Sequence, residues 1–292
     1  MNDSLSLPSP TSKTEDEITR ALNRLEEYCF YERRLNYSNT KTIVSTARAM
    51  FRKYGVFEPS KSTAIKIESD CRERGLTPET IKQRLYTIEC IAGSMGIELK
   101  LRKPRKVHRR VRYLTRTEAR RLIAGACNNR DRAIIMTLLY TGIRSKELIN
   151  IDVNDVDLEN RTIYVHDPEI GGKNHYERDV AIPEKLIESL QAWLNERPDH
   201  ESKALFVTQD GRRLIRDRLY NIVKDAGKRA RIDQPVSPHL LRHTLATSMC
   251  ESNLNITIVQ RQLGHRDIKS TLIYAHVDTS MVRKVMNESF EY

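Results

Sequence analysis

A basic segment without an acidic residue divides this chain and most constrains its fold. Lys100–Arg112 reads KLRKPRKVHRRVR and carries eight Lys or Arg side chains around Pro104. A stretch with this many charges buries little apolar surface. It is therefore typical of a solvated linker, and it can equally lie along a phosphate backbone. A chain of 292 residues is long enough for a domain on either side of it. We predict a disordered leader over 1–14, a helical domain over 15–99, the linker over 100–112, and a second domain over 113–292 with a C-terminal helix or tail at 280–292.

The first hundred residues predict four short helices. Apolar side chains recur at helical spacing from Ile18 to Cys29 and from Ser38 to Tyr54, with a weaker pattern from Thr63 to Arg74. A fourth helix has a clear start, because Thr77 is a good N-cap and Pro78 suits the first helical position. Four short helices with brief connections form a small all-α domain.

The second part of the chain combines helices with short strands. Thr115 and Glu118 have the spacing of a capping box, and residues 131–140 form an apolar helix. Strands are predicted at 161–165 (RTIYV), 178–182 (RDVAI) and 205–208. Further helices are predicted at 183–196, 215–230, 237–251, 256–263, 267–276 and 281–290. The predicted fold is therefore mainly α with a small antiparallel β-sheet, in two domains.

The composition favours an acidic partner and argues against several protein classes. Lys and Arg outnumber Asp and Glu by 50 to 39, a net charge of +11, so nucleic acid is the first partner to consider. The longest nearly apolar run, Ala133–Ile143, is far shorter than the ~20 residues of a membrane span. The five cysteines are scattered without a Cys-x-x-Cys pair, and residues 1–14 lack signal-peptide features. We therefore expect a cytoplasmic, nucleoid-associated protein.

Several polar residues occur in unusual settings, and each has two explanations. Arg144 follows an apolar helix in TGIRSKELI, where it is either an exposed residue at a helix start or an anion-binding group supported by Glu147 three residues on. The other members of this set are His239, Arg242, His265 and Tyr274. Taken singly, they have ordinary explanations as surface, helix-capping or core residues.

The motifs that could indicate a metal or nucleotide site are incomplete in this sequence. His239 and His243 have a spacing that can ligate zinc, but Leu-Leu-Arg between them supplies no general base, and the arginine would repel a cation. The Gly-Gly-Lys at 171–173 lacks the remaining residues of a P-loop. We therefore expect neither a metal site nor a nucleotide cofactor.

Taken together and in order, these residues resemble the catalytic domain of the tyrosine site-specific recombinases, the family of phage integrases and Xer proteins. The resemblance spans about Tyr113 to Val277. It is carried by TGIRSKELINI (Thr141–Ile151), GGKNHYERDVAIP (Gly171–Pro183), HLLRHTLATSM (His239–Met249) and LGHRDIKSTLIYAHV (Leu263–Val277). The N-terminal helices resemble the family's core-binding domain by size, position and helicity.

The resemblance implies that Tyr274 attacks a DNA phosphodiester and forms a 3′-phosphotyrosine. Arg144 and Arg242 would bind the phosphate, with Glu147 supporting Arg144. Their planar guanidinium groups suit the extra negative charge of a phosphorane transition state. Because the bond energy is kept in the phosphotyrosine, no ATP, metal or other cofactor is implied.

The same resemblance assigns the proton transfers. A hairpin lysine would protonate the departing 5′-oxygen, and Lys173 is the only lysine between Arg161 and Pro183. The family often has Gly-Lys-Gly there, whereas this chain has Gly-Gly-Lys-Asn. His239 would assist proton transfer, and His265 would add a hydrogen bond to the phosphate oxygens.

The implied partners are double-stranded DNA with specific recombination sites and three further copies of the chain, in a synaptic tetramer. Phosphate contacts are predicted for the linker residues Lys103, Arg105, Lys106, Arg109 and Arg110. The short stretch before residue 15 makes the chain more similar to Xer-type enzymes than to integrases with an additional arm-binding domain.

Two other functions stay open on these residues. A type IB topoisomerase would use the same chemistry to relax supercoils, and a non-catalytic accessory protein would bind DNA on the same fold. Dimer resolution and the integration or excision of a mobile element share one chemistry, so the sequence does not choose between them.

Overall fold

The structure is a computed structural model that describes residues 12–105, 111–166, 177–198, 202–252, 254–265 and 267–274. The chain divides into two compact units, Met1–Arg109 and Arg110–Tyr292. The predicted fold class is confirmed, since helices dominate and the described strands form one small antiparallel sheet. Within the described ranges, no helix is both long and apolar enough to cross a membrane.

The first unit is built from helices whose starts are fixed by side-chain caps. The helices are α1 (Ser12–Glu27), continued by a π-helical turn (Tyr28–Glu32), α2 (Tyr37–Tyr54), α3 (Lys61–Glu73) and α4 (Pro78–Ser94). Asn36, Ser60 and Thr77 each accept a backbone N–H at the start of α2, α3 and α4. The predicted leader extends to residue 14, but α1 already begins at Ser12.

The second unit surrounds the apolar helix α6. Its helices are α5 (Arg116–Ala124), α6 (Asn129–Thr141), α7 (Ser145–Asn150), α8 (Glu184–Glu196), α9 (Arg216–Arg229), α10 (Pro238–Glu251), α11 (Ile256–Leu263) and α12 (Lys269–Leu272). Helices α5, α8, α9 and α10 all pack against α6. The capping box at Thr115 and Glu118 is present as predicted. Because α6 is covered on all these sides, its side chains are almost all buried.

The sheet has the order β1-β2-β3, with β1 at Val156–Asp157, β2 at Thr162–Val165 and β3 at Arg178–Ala181. Both pairs of strands are antiparallel, and Val165 lies opposite Arg178 at the end of the β2–β3 pair. Burial alternates along β3, so Arg178 and Val180 face inward. The predicted Lys173 lies between these strands, outside the described residues.

Two local predictions are wrong. The segment 205–208 is not a strand, because side chains take the neighbouring carbonyls: Trp193 donates to Leu205 O at 2.8 Å and Arg197 to Ala204 O at 2.9 Å. Only isolated bridges form there, at Ala204 and Val207. The helix predicted over 267–276 is short, and Tyr274 follows α12 in a turn. The predicted helix at 281–290 lies outside the described residues.

Candidate active site

A left-handed glycine after α6 brings three elements into contact. Gly142 has φ +65°, and a Cβ there would lie 2.6 Å from Leu263 Cδ2 and 2.9 Å from Leu245 Cδ2. Only glycine allows this approach without strain. The Gly142 carbonyl accepts a hydrogen bond from Arg242 Nη1 at 2.5 Å, and the chain then turns so that Arg144 starts α7.

Glu147 is a buried carboxylate that holds Arg144. It is 5% exposed and accepts Arg144 Nη1 on Oε1 and the Arg144 backbone N–H on Oε2, both at 2.7 Å. Burial raises the pKa of Glu147, but the hydrogen bonds and charge of Arg178, helped by Arg144, outweigh it and leave the pKa below its ordinary value. Arg144 also donates from Nη2 to Gly264 O at 2.9 Å. With 47% of its side chain exposed, this oriented guanidinium can bind an external anion.

Arg242 supplies a second guanidinium from α10. It is 4% exposed and donates from Nη2 to the Leu263 carbonyl at 2.7 Å. Burial, with the nearby charges of Arg144 and Arg178, lowers the pKa of Arg242 to about 10, so it stays protonated at neutral pH. We call Arg144, Glu147, Arg178 and Arg242 the guanidinium half of the site. With three cations around one carboxylate, this half is positive.

The remaining site residues form a second group, the histidine half, which consists of His239, His243, His265 and Tyr274. The His243 Nδ1 and Tyr274 Oη atoms are 2.5 Å apart, and the rings of His239 and His243 meet edge to face with centroids 4.2 Å apart. His265 stacks parallel to Tyr274 at 6.4 Å and hydrogen-bonds through Nδ1 to Thr271 Oγ1 at 2.8 Å.

The histidine half is uncharged at neutral pH. Burial, reinforced by nearby cationic or histidine neighbours, lowers the pKa of both His243 and His265 to about 4, and it also lowers the pKa of His239. Burial raises the pKa of Tyr274 despite the opposing charge of Arg242. Tyr274 is therefore a protonated phenol, and only 5% of it is exposed.

The structure brings most of the predicted site residues into one cluster. The residues concerned are Arg144, Glu147, His239, Arg242, His265 and Tyr274. Of the linker residues, Lys103 is paired with Glu89 at 2.6 Å and Arg105 is exposed. Lys173, Lys106, Arg109 and Arg110 lie outside the described residues.

Sequence reasoning missed two members of the site. Arg178 had a readable signal, because a charged residue in phase with Val180 on β3 must face inward and needs a buried partner. His243 was considered only as a zinc ligand with His239, although it follows Arg242 directly and lies half-buried beside the tyrosine.

Comparison with known proteins decides the family. The model of the phage integrase family matches residues 112–281, which is more than half of the chain. The chain belongs to this family. It is 32% identical to the tyrosine recombinase XerA of Thermococcus kodakarensis over 78% of this chain and 81% of that protein. It is 29% identical to XerA of Pyrococcus horikoshii over 95% and 96% of the two chains.

Solved structures agree with this assignment. A crystal structure of XerA recombinase matches at a TM-score of 0.55 and 27% identity, covering 94% of this recombinase and 99% of that chain. The Tn1549 transposon integrase in complex with a circular intermediate DNA matches at a TM-score of 0.73, over 92% and 99%, and its 20% identity supports the fold alone. This protein is therefore a tyrosine recombinase of Xer type, an enzyme of site-specific DNA recombination.

Proposed function

We propose that the recombinase cuts DNA by attack of the Tyr274 hydroxyl on a phosphodiester, leaving a 3′-phosphotyrosine and a free 5′-hydroxyl. One observation carries this proposal: the Tyr274 phenol, Arg242, Arg144 and two neutral histidines meet in one cluster. A phenol beside an excess of guanidinium charge suits attack on an anion.

The guanidinium half acts on the charge of the transition state. A pentacoordinate phosphorane carries extra negative charge on its non-bridging oxygens, and the Arg144 and Arg242 forks are built to hydrogen-bond such oxygens. Glu147 holds Arg144 by two bonds, so less orientation is lost when the phosphate binds. These groups make the proposed chemistry independent of metal ions and ATP.

The histidine half handles the protons. Tyr274 must lose its proton as the O–P bond forms, and His243 and His239 are neutral and able to accept one. His265 can donate to a phosphate oxygen. The bond from phosphorus to the 5′-oxygen then breaks, and Lys173 is proposed as the acid that protonates this oxygen. Because Tyr274 is 5% exposed and bonded to His243, its hydroxyl must leave this position to reach DNA.

We further propose double-stranded DNA carrying a specific site as the partner. Among structures with the same fold, XerH is bound to palindromic difH substrate and the Tn1549 integrase is in complex with circular intermediate DNA. The basic linker would contact phosphates, both through Arg105, which is exposed, and through its other cations, including Lys103. Joining two duplexes requires four strands to be cut, one Tyr274 for each, so we propose a tetramer on DNA. Rejoining follows when a second 5′-hydroxyl attacks the phosphotyrosine.

The test traps the covalent complex. Nicked duplexes drawn from the source genome let a short 5′-hydroxyl fragment diffuse away after cleavage, so the protein stays attached to DNA. We expect an SDS-resistant protein–DNA band with the wild type and none with Tyr274→Phe. Tyr220→Phe is the control, since Tyr220 is an exposed tyrosine on α9.

Sequencing of the attached DNA gives the site and separates dimer resolution from mobile-element integration by its location. Joint products between two duplexes separate recombination from supercoil relaxation. Salt-sensitive binding without any Tyr274-dependent band would contradict the proposal and favour a DNA-binding role alone.

A further inference from the structure

Arg178 lies inside the site, yet the reaction proposed above gives it no role. Its guanidinium is buried, with 8% of the residue exposed, and makes two bonds to Glu147: Nη1 to Oε1 at 3.2 Å and Nη2 to Oε2 at 3.0 Å. We propose that Arg178 is a positioning residue that acts through Glu147 to leave the charge of the Arg144 guanidinium partly uncompensated and aimed outward, a role that rests on the proposed cleavage of DNA.

Two arginines share the carboxylate of Glu147. Arg144 and Arg178 each contact both oxygens of Glu147, Arg144 through its side chain and its backbone N–H. A carboxylate that faces one guanidinium neutralises it and draws it inward. Because Arg178 takes part of the interaction with Glu147, the positive charge of Arg144 is only partly compensated, and its side chain stays 47% exposed. Without Arg178, Glu147 would bind Arg144 alone.

A shared backbone acceptor links Arg178 to the other phosphate-binding candidate. The Leu263 carbonyl accepts from Arg242 Nη2 at 2.7 Å and from Arg178 Nη2 at 3.3 Å. Arg178 therefore touches an acceptor of each candidate arginine, and its own Nη1 and Nη2 atoms are committed to Glu147 and the Leu263 carbonyl. This arrangement is that of a group which orients others.

Arg178 contributes less to the fold than its burial implies. Its Nε is buried and has no hydrogen-bond partner among the described residues. An unpaired buried N–H costs stability, and a buried ion pair is often no more stable than apolar side chains of similar volume. Gly264 packs directly on the guanidinium, since a Cβ there would lie 2.5 Å from Arg178 Cζ. The burial of Arg178 is therefore better explained by the charge arrangement of the site than by a net gain over apolar side chains.

The experiment uses the full chain on a site recovered by covalent trapping, synthesised in two forms. One form has the native scissile phosphodiester, and the other has a methylphosphonate there, which removes one negative oxygen. We expect Arg178→Met to slow covalent-complex formation about 100-fold on the phosphodiester, because misplacing a charged group by about 1 Å costs roughly that factor. On the methylphosphonate, where less charge develops, the loss should be at least about tenfold smaller.

Two controls separate positioning from folding. Arg213 is a half-buried arginine with the same kinds of partner, the Ile149 carbonyl and the Asp152 carboxylate, at the end of α7 opposite to Arg144. Arg213→Met should therefore leave the cleavage rates on both substrates unchanged. Arg144→Lys combined with Arg178→Lys forms a mutant cycle. If Arg178 acts through Arg144, the double variant loses little more than Arg144→Lys alone.

The outcomes are distinct. Equal losses on both substrates, or losses that multiply in the double variant, would overturn the role of Arg178 and leave the proposed function standing. Absence of any Tyr274-dependent complex with the wild type would overturn both. If Arg178→Met fails to fold, Arg178→Lys decides the matter: its loss should be about tenfold on the phosphodiester, since lysine cannot reproduce the two-pronged contact, and smaller on the methylphosphonate.

Discussion

The two halves of the site solve opposite electrostatic problems. The guanidinium half buries two of its three cations, Arg178 and Arg242, and keeps the charge by sharing Glu147 and backbone carbonyls. In the histidine half, the imidazoles have an ordinary pKa near neutrality but stay uncharged, because burial, reinforced by neighbouring histidine and guanidinium groups, disfavours their protonation. The charge of one half is thus fixed across the physiological range, and it adds to burial in keeping the other half neutral.

This difference supports the separate roles that we propose for the two halves. Stabilising charge on a phosphate needs groups that never lose their protons, whereas moving the phenol proton needs groups that start without one. The halves meet at the Leu263–Gly264–His265 backbone, where Arg144, Arg178 and Arg242 donate to the Leu263 and Gly264 carbonyls just before His265. Substitutions in the guanidinium half should therefore change mainly the stability and the charge of the site. Substitutions in the histidine half should change mainly the response to pH.

The largest effect is expected from removing the one carboxylate of the guanidinium half. Glu147→Gln leaves Arg144 and Arg178 without a counter-charge, and losing one partner of a buried ion pair costs about 3–5 kcal/mol. Urea unfolding at pH 7 measures this. The matched control is Glu89→Gln in the first unit, where the carboxylate also accepts a backbone N–H and one cation, Lys103, but is less buried, so the cost should be about 1 kcal/mol.

The pH dependence of this loss has a definite sign. The folded pKa of Glu147 lies below its ordinary value of 4.5, so its contribution is present above about pH 4.5 and is lost as the pH falls through the folded pKa. The gap between wild type and Glu147→Gln should narrow below pH 4.5. A gap that stays constant down to pH 3 would show that the charge of Glu147 is not what stabilises this half.

A smaller effect is expected where the two halves meet. Gly264 and Gly75 have almost the same φ, +65° and +66°, but a Cβ at Gly75 meets nothing within 4 Å, whereas at Gly264 it collides with the Arg178 guanidinium. Gly75→Ala should cost about 1 kcal/mol for its backbone, and Gly264→Ala about 1–2 kcal/mol more. Thermal unfolding of both variants measures the difference. Equal costs would mean that Arg178 moves aside freely.

The sequence could predict the parts of this fold and site that depend on local chemistry. Thr77 and Thr115 start helices as predicted because an N-cap acts within three residues. Short motifs likewise pointed to Arg144, Arg242 and Tyr274, which the structure brings into one cluster.

What the sequence could not predict depends on distant backbone. The carbonyls of Gly142 and Leu263 organise two arginines, and a carbonyl has no side-chain signature. The segment 205–208 has the composition of a strand, but Trp193 of α8 takes the Leu205 carbonyl, and Arg197 takes the Ala204 carbonyl just before the segment. The role of His243 arises from a turn after α12 that places Tyr274 against it, a contact across 31 positions of the chain.

At pH 7 the smallest effect is expected in the histidine half, where a substitution appears only as a change of slope at lower pH. The pKa of His243 is lowered to about 4 from an ordinary 6.5, so its neutral form stabilises the fold above pH 6.5, and this contribution is lost as the pH falls toward 4. His243→Gln should therefore reduce the fall in unfolding free energy across this window by up to about 1.4 kcal/mol per pH unit, the value for one proton. Urea titrations from pH 7 to 4 measure the slope.

Tyr274→Phe is the matched control, because it removes the hydrogen-bond partner of His243 but leaves the imidazole in place, and it should keep most of the wild-type slope. Parallel curves for wild type and His243→Gln would show that His243 already titrates normally in the folded protein, and the contrast in charge between the two halves would fail at this residue.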